Sequence, residues 1–499
     1  MKKGDICEGI IEKYDFPNKA SFMEEDRKVT VKGALPGQKV RYMVTKKKSG
    51  MAEGKLLDVI ERGAIEDAEP DCPFFGMCGG CAYQTLSYPN QLDLKAGMVK
   101  KLIDNVLLEE NSNSKDYVWE GILGSPSQTA YRNKMEFTFG DAYKDGPLAL
   151  GLHKKGSFHD ILSVTGCRII GEDWSKILAG SETFFASKNV PFFHRMRHEG
   201  ILRNLVIRQS HATGEFLINL VTSTQWETYG FDKEEILQAY VEQLLALEKE
   251  DDFIGRIAGI LYTENDVLGD VVQSDRTIVL YGKDFIEEEL LGLTFQISPF
   301  SFFQTNTAGC EVLYQKARDY ILAGSVMQGA GNDKIVFDLY SGTGTIAQMM
   351  APVAKKVIGI EIVEEAVEAA KKNAEKNGLS NCEFIAGDVL SAIDLVDDKP
   401  DVIILDPPRD GVHPKALEKI LAFGVDEMVY ISCKPTSLAR DLETIIKRGY
   451  QVQWVCCVDQ FPRTNHVETV CLFSKKSQLY SCKTEMGVAS GVTGDGNRR

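Results

Sequence analysis

Lys334-Ile335-Val336-Phe337-Asp338-Leu339-Tyr340-Ser341-Gly342-Thr343-Gly344-Thr345-Ile346 reads as a buried strand running into a glycine turn and then a helix. Gly342 and Gly344 let the backbone approach a ligand closely. The third glycine of the hydride-cofactor fingerprint is replaced by Ala347, and no Gly-Lys-Ser/Thr follows as in a P-loop. A second apolar run, Lys356–Glu361, ends on an acid about 20 residues past the turn, where nucleotide folds meet ribose hydroxyls. A third, Cys382–Asp388, ends on another acid suited to an adenine or its neighbours. The alternation of strands and helices from about residue 290 predicts an α/β sheet whose strand ends line a ligand crevice.

Further strand ends carry reactive side chains. Val402-Ile403-Ile404-Leu405 runs into Asp406-Pro407-Pro408-Arg409, and Val429-Tyr430-Ile431-Ser432 into Cys433-Lys434-Pro435. Some thirty residues on stands Phe461-Pro462-Arg463-Thr464-Asn465-His466-Val467-Glu468. A thiol, two carboxylates and a histidine are thus expected at neighbouring strand ends. An isolated strand-end cysteine is usually a buried small hydrophobe; Pro435 and the two acidic motifs around Cys433 argue for a nucleophile. Upstream, Phe302-Phe303-Gln304-Thr305-Asn306 precedes a helix from Cys310 to Leu322, and Gln304 can both donate and accept toward a base or a polar cofactor.

Glycine turn, acid and acid on three successive strands is the pattern of class I S-adenosylmethionine-dependent methyltransferases, with a Rossmann-like domain. Asp406-Pro407-Pro408-Arg409 differs from the Asn-Pro-Pro-Tyr type that methylates exocyclic amines without a nucleophile.

The N-terminal half has a different character. The chain has 499 residues and a net charge of −15, unlike a generic basic nucleic-acid binder. Residues 1–60, however, carry 13 Lys/Arg against 9 Asp/Glu, and Lys46-Lys47-Lys48 and Arg195-Met196-Arg197-His198 are basic clusters. Loose alternation over Asp5–Tyr14, with runs at Val29–Val31 and Lys39–Val44 around the turn Gly33–Gly37, predicts a small β-barrel. Cys72, Cys78 and Cys81 form a C-x5-C-x2-C segment in which Gly79 and Gly80 permit a tight turn, and Cys167, also following a glycine, is the candidate fourth ligand. Spacing leaves zinc and iron–sulfur both open. It differs from the C-x3-C-x2-C loop of radical enzymes.

Residues 90–110 predict an amphipathic helix with Val99, Leu102, Ile103 and Val106 on one face. Between about 120 and 300, alternating runs such as Tyr131–Phe139, Leu202–Arg208 and Glu215–Val221 predict an antiparallel α+β region. Arg132 with Lys134, and Arg195 with Arg197 if extended, would share strand faces. No run of about 18 apolar residues occurs, and the N-terminus lacks a signal-peptide pattern, so a cytoplasmic location is expected.

Taken together, these motifs resemble the RNA (uracil-5-)-methyltransferases, most closely the 23S rRNA enzymes with a TRAM domain and a four-iron cluster. The resemblance rests on Ala34-Leu35-Pro36-Gly37-Gln38-Lys39-Val40, the four cysteines, Phe302–Asn306, Asp338–Gly344, Asp406–Arg409, Ser432–Pro435 and His466–Glu468. It implies an OB-like, RNA-gripping TRAM domain over 1–62. It implies a central domain from 63–92 and 120–290 whose Cys72, Cys78, Cys81 and Cys167 bind a 4Fe-4S cluster that is not redox-catalytic. It places the methyltransferase domain at 93–119 and 291–475; residues 476–499 match nothing and read as a disordered tail. S-adenosyl-L-methionine would be bound by Gln304, Asp338, Tyr340, Gly342, Gly344, Glu361 and Asp388, with Asp406 beside it reading the uracil N3–H. Cys433 would add to C6 of uracil. Glu468, in a Pro/Thr/Asn segment that looks mobile, would remove the C5 proton, and His466 would position. The implied partner is RNA, with no membrane and no protein partner, the chain acting as a monomer.

Three other readings differ in kind. A tRNA (uracil-5-)-methyltransferase typically lacks the TRAM domain and the cysteine motif. A non-catalytic RNA-binding protein on this fold would not need the full set of donor-site acids, Cys433 and Glu468. An iron–sulfur electron-transfer protein would need a partner cofactor.

Overall fold

A computed structural model of the chain describes residues 1–110, 116–157, 159–269, 275–324 and 333–475. The expected tail at 476–499 lies outside the described residues. Among the described residues no helix is long and apolar enough to cross a membrane.

The catalytic sheet has eight strands in the spatial order Cys382–Ala386, Lys356–Glu361, Ile335–Leu339, Val402–Leu405, Glu427–Ser432, Glu468–Lys475, Tyr450–Val458 and Val118–Leu123. The first five are parallel. Successive side chains of a strand face opposite sides of the sheet, and both sides here are apolar. Ile403, Leu405, Met428 and Tyr430 enter one cluster, while Val402, Ile404, Val429 and Ile431 enter another. That two-sided burial is why these strands read as continuous apolar runs rather than alternating ones. From Ile335–Leu339 the chain first builds outward through Lys356–Glu361 and Cys382–Ala386, then returns to build the other way from Val402–Leu405. The reversal opens a crevice at the carboxyl ends of Ile335–Leu339 and Val402–Leu405.

Glu468–Lys475 runs antiparallel between Glu427–Ser432 and Tyr450–Val458, and Val118–Leu123 adds a parallel edge strand. The helix Tyr88–Glu109 packs on that edge strand and on the helix Pro435–Lys447. It buries Val99, Ile103 and Val106 as expected, but also Gln91 and Lys95. Their polar atoms are satisfied by distant partners: Gln91 Oε1 accepts the Arg463 N–H at 2.8 Å, and Lys95 pairs with Asp459 at 2.6 Å.

Residues 6–61 form a six-stranded sheet. Val29, Val31, Val40, Tyr42 and Val44 alternate into its core, which is continuous with the helix Tyr88–Glu109. Lys46, Lys47 and Lys48 are exposed at the end of the strand Lys39–Lys48.

The central region forms a seven-stranded sheet, and here the antiparallel expectation needs correction. Glu215–Thr222 and Arg256–Glu264 pair in parallel, because the helix Lys233–Leu247 supplies the crossover that a parallel pair requires. Arg195 and Arg197 do not share a strand face either: residues 195–198 are a tight turn closed by the His198 N–H on the His194 carbonyl at 2.8 Å. Arg132 lies ahead of the strand Lys134–Asp141, with its Nε donating to the Lys134 carbonyl at 3.0 Å.

Candidate active site

The glycine turn is shaped by a run of left-handed backbone: Tyr340 has φ 69°, Gly342 54° and Gly344 73°. At Gly344 a Cβ would also lie 2.5 Å from the Phe384 ring, so both conformation and space require glycine. Asp338 is fully buried. Its Oδ2 accepts the Ala347 N–H at 2.9 Å, tying strand to helix, and its Oδ1 has no partner, as also the Ser341 Oγ. Burial, then the Asp406 and Glu361 charges, push the Asp338 carboxyl up to about 8.

Glu361 receives the Gly342 N–H at 2.9 Å and the Val363 N–H at 3.0 Å, one on each oxygen. Each oxygen keeps a lone pair for a ligand. Asp388 is exposed and caps a short helix by accepting the Leu390 N–H at 2.7 Å. Adjacent register, Leu339 on Ile360 and Glu361 on Ala386, brings the three acids to one edge. The chemistry of this rim fits a nucleoside with a cationic substituent: ribose acceptors, close backbone, and a buried acid with an unpartnered oxygen.

The loop with Gln304 is held from the central region, which sequence reading missed. The buried Arg208 guanidinium donates to the Pro299 carbonyl at 3.0 Å and to the Ser301 carbonyl. Asn133 Nδ2 donates to the Gln304 carbonyl at 2.9 Å, and the Gln304 side chain hydrogen-bonds Tyr314. Phe302 stands exposed beside Gly342. Nothing local signals Arg208, whose partners lie 91 and 93 residues away.

Beyond the switch point, Leu339 pairs with Leu405 and Leu405 with Tyr430, so Asp406 emerges between the glycine turn and Cys433. Ser432 pairs with Thr469, which sets Cys433 opposite Glu468 when the register is continued by one residue. Glu468 is buried, and desolvation followed by the Asp406 charge raises it to about 8 against the opposing Arg409 guanidinium. Desolvation raises Asp406 to about 7. The Cys433 thiol is pushed up to about 12 by burial, Glu468 and Asp406, again opposed by Arg409. Two carboxylates in one dry site share protons rather than both ionising. His466 lies at the rim, its ring edge-on to Phe461 at 6.1 Å. Desolvation and the cations Arg409, Lys95 and Arg132 push it down to about 4.

The Pro/Thr/Asn segment before Glu468 is not loose, contrary to its composition. Asp459 pairs with Lys95, Tyr131 Oη donates to the Pro462 carbonyl at 3.0 Å, and Asn465 Nδ2 donates to the Pro17 carbonyl at 3.0 Å.

Cys72, Cys78, Cys81 and Cys167 are gathered as electrostatic neighbours, each half-buried. The turns that carry them use left-handed Gly76 and Gly166. Burial raises Cys78, Cys81 and, to about 11, Cys167. Among the described residues no three His, Cys, Asp or Glu side chains close to the spacing of a single-ion site. The donor set itself, four soft thiols on two turns, fits a thiolate-ligated centre.

Comparison with known proteins identifies the family. A model of the tRNA (Uracil-5-)-methyltransferase family matches residues 266–476. An uncharacterized RNA methyltransferase of Clostridium tetani is 47% identical over 96% of this chain and 100% of its own length. One of Caldanaerobacter subterraneus is 46% identical over 95% of this chain and 100% of its own. Among solved structures, a tRNA (uracil-54, C5)-methyltransferase of Pyrococcus abyssi, in complex with S-adenosyl-L-homocysteine, superposes with a TM-score of 0.69 at 23% identity, covering 93% of this chain and 99% of that one. That similarity shows a shared methyltransferase fold. The chain is an RNA methyltransferase and belongs to the family of the RNA (uracil-5-)-methyltransferases.

Proposed function

We propose that this protein methylates C5 of a uridine in 23S rRNA, with S-adenosyl-L-methionine as donor, through a transient covalent bond from Cys433 to C6 of the base. The observation that carries this reading is the meeting of Cys433, Glu468 and Asp406 at the switch point beside the glycine turn. Asp338, Tyr340, Gly342, Gly344, Glu361, Asp388 and Gln304 would hold the donor, which supplies an electrophilic methyl group.

Uracil C5 is a poor nucleophile until C6 is attacked. Cys433 loses its proton to water and adds as thiolate to C6, the C5=C6 electrons move toward O4, and C5 gains the character of an enolate carbon that takes the methyl group as the donor's S–CH3 bond breaks and leaves a neutral thioether. Glu468 then lifts the C5 proton, the C5=C6 bond re-forms, and the S–C6 bond breaks to return the thiolate. Asp406 accepts from the uracil N3–H, which cytosine lacks. Arg409 offsets the anionic charge around Cys433 and Glu468.

The N-terminal sheet with its exposed lysines would serve as the RNA-gripping TRAM domain over 1–62. The cysteines of the central domain (63–92 and 120–290) would hold a 4Fe-4S cluster that shapes the RNA-binding face. The enzyme would act as a cytoplasmic monomer. The test is transfer of labelled methyl to protein-free 23S rRNA and, separately, to unmodified tRNA, with the product base mapped. Label at C5 of an rRNA uridine supports the reading; label in tRNA alone keeps the chemistry and replaces the substrate; label on cytosine or on an exocyclic amine overturns it.

A further inference from the structure

Arg463 lies five residues before Glu468, at the tip of the loop that delivers it. Its backbone has φ 70°, a conformation glycine would adopt more easily, so the side chain is kept at a conformational cost. The guanidinium forks onto Asp71, with Nη1 on Oδ1 and Nη2 on Oδ2 at 3.1 Å, and Nε donates to the Gln128 carbonyl at 3.1 Å. The Arg463 carbonyl accepts the Ala82 N–H at 2.8 Å and the Tyr83 N–H at 3.0 Å, and its own N–H donates to Gln91 Oε1 at 2.8 Å.

The sequence positions of these partners are informative. Asp71 immediately precedes Cys72, and Ala82 immediately follows Cys81. One residue therefore grips both ends of the three-cysteine segment. Asp71 also receives the neighbour of the fourth cysteine: Arg168 Nε donates to the Asp71 carbonyl at 3.3 Å and stands 4.0 Å from its carboxylate. The Arg463 side chain is only 14% exposed while that of Asp71 is 47% exposed, so the guanidinium sits within the junction and not on its surface. The other anchors of the loop, Lys95 on Asp459 and Asn306 on Gln460, run to the helix Tyr88–Glu109 and to the Phe302–Asn306 loop.

We propose that Arg463 is a positioning residue that couples the cysteine segment to Glu468, so that the order of that segment is felt in removal of the C5 proton and not in formation of the covalent bond. The inference rests on the assignment of Cys433 as nucleophile and Glu468 as base. Attack by Cys433 depends on the end of its own strand and on Asp406; proton removal depends on where the Arg463 loop sets Glu468.

The two steps are separable. RNA transcribed with 5-fluorouridine carries fluorine where the base would lift a proton, so it reports covalent capture alone; ordinary RNA reports capture and release together. Both are measured with Arg463→Gln, Asp71→Asn and the double variant, on whichever of 23S rRNA or tRNA accepts methyl, alongside metal content and amide exchange of residues 459–468. Expected are capture within about twofold of the native protein and release slowed on the order of tenfold, with adduct accumulating on ordinary RNA. Metal content should be retained and exchange of the loop should be faster. The double variant should be no worse than either single one, and Arg463→Lys should restore part of the rate.

Equal loss of capture and release, loss of metal with the Arg463 change, unaltered exchange, or singles that multiply in the double variant would each overturn the coupling. Glu468→Gln separates the two ideas. If that variant releases product freely, the base assignment fails. If it traps the adduct while Arg463→Gln changes neither release nor exchange, the coupling alone fails.

Discussion

Cys433 and Glu468 face each other across an antiparallel strand pair: Ser432 pairs with Thr469, the former one residue before the thiol and the latter one residue after the carboxylate. The carboxyl end of one strand thereby meets the amino end of the next at the sheet edge where Asp406 also emerges. Strand pairing thus brings the proposed nucleophile and base to one edge of the sheet, and the loop ahead of Glu468 sets how the carboxylate enters it.

The thiol should be indispensable. Cys433→Ala is expected to lower methyl transfer on the order of 10³-fold or more and to abolish any covalent complex with RNA, while the fold is kept because the site is only half-buried. Single-turnover transfer with denaturing gel analysis measures both. Native-like turnover by this variant would sink the nucleophile.

Glu468 carries two pH consequences. As a base it must be ionised, and its carboxyl lies near 8 with Asp406 near 7, so the rate of adduct resolution, which needs Glu468 but no ionisation of the thiol, should climb as pH rises from about 6 to 8.5 and then level. For stability the sign is opposite. Both folded-state values lie above the ordinary carboxyl values of 4.5 and 3.8, so the folded state favours the protonated carboxyls. Their contribution is full below about pH 4 and is lost progressively as pH rises from there to about 8. Glu468→Gln should therefore melt higher than the native protein at pH 9, with the gap closing toward pH 5, while trapping the RNA adduct. A constant gap across that range would show that Glu468 is not held protonated.

Asp406→Asn tests specificity and electrostatics together. The Asn amide can donate to the bare N3 of cytosine as well as accept from the uracil N3–H, so discrimination between the two bases should fall by about 1–3 kcal/mol. Loss of its charge, the second cause of the Glu468 shift, should also move the rate's pH midpoint downward. A pH–rate series on a uridine RNA and its cytidine counterpart reads both; an unmoved midpoint would mean that the two carboxylates do not interact.

How much of this was legible in the chain depended on the range of the contacts. The strand, turn and acid series around Asp338, Glu361 and Asp388 is local, because each strand is a short apolar run closed by the residue that matters. The order of Cys433 and Glu468 at one edge could be expected, but not their cross-strand register, which needs the antiparallel return. The supports were invisible. Arg208 under the Phe302–Asn306 loop and Lys95 under Asp459 are charges buried by partners 91 to 364 residues away, and on sequence alone both would read as surface. The segment 461–467 has the composition of a mobile loop, yet its partners come from the N-terminal sheet, the cysteine segment and the helix Tyr88–Glu109. Composition reports what a loop would do alone, not what holds it.

The proposed cluster at the cysteine site is tested by spectroscopy. A thiolate-ligated iron cluster gives visible charge-transfer absorption that zinc lacks, and Cys81→Ser or Cys167→Ser should remove it together with the bound iron. Zinc without colour would replace the cluster and leave the methyl-transfer site untouched.

Lys95 and Asp459 make the strongest stability prediction. Both side chains are wholly buried and paired at 2.6 Å, and Lys95 also donates to the Phe461 carbonyl at 3.1 Å. Lys95→Met leaves the buried Asp459 carboxylate without its cation, with only the Tyr88 hydroxyl beside it. The expected loss is about 3–5 kcal/mol, read by denaturant unfolding. Asp459→Asn in the same background should recover much of it, because an amide costs far less to bury than an unpaired charge. Since Asp459 opens the loop that ends on Glu468, the single variant should also accumulate RNA adduct at temperatures where it remains folded. A destabilised protein whose adduct resolves at the native rate would show that this end of the loop serves the fold alone.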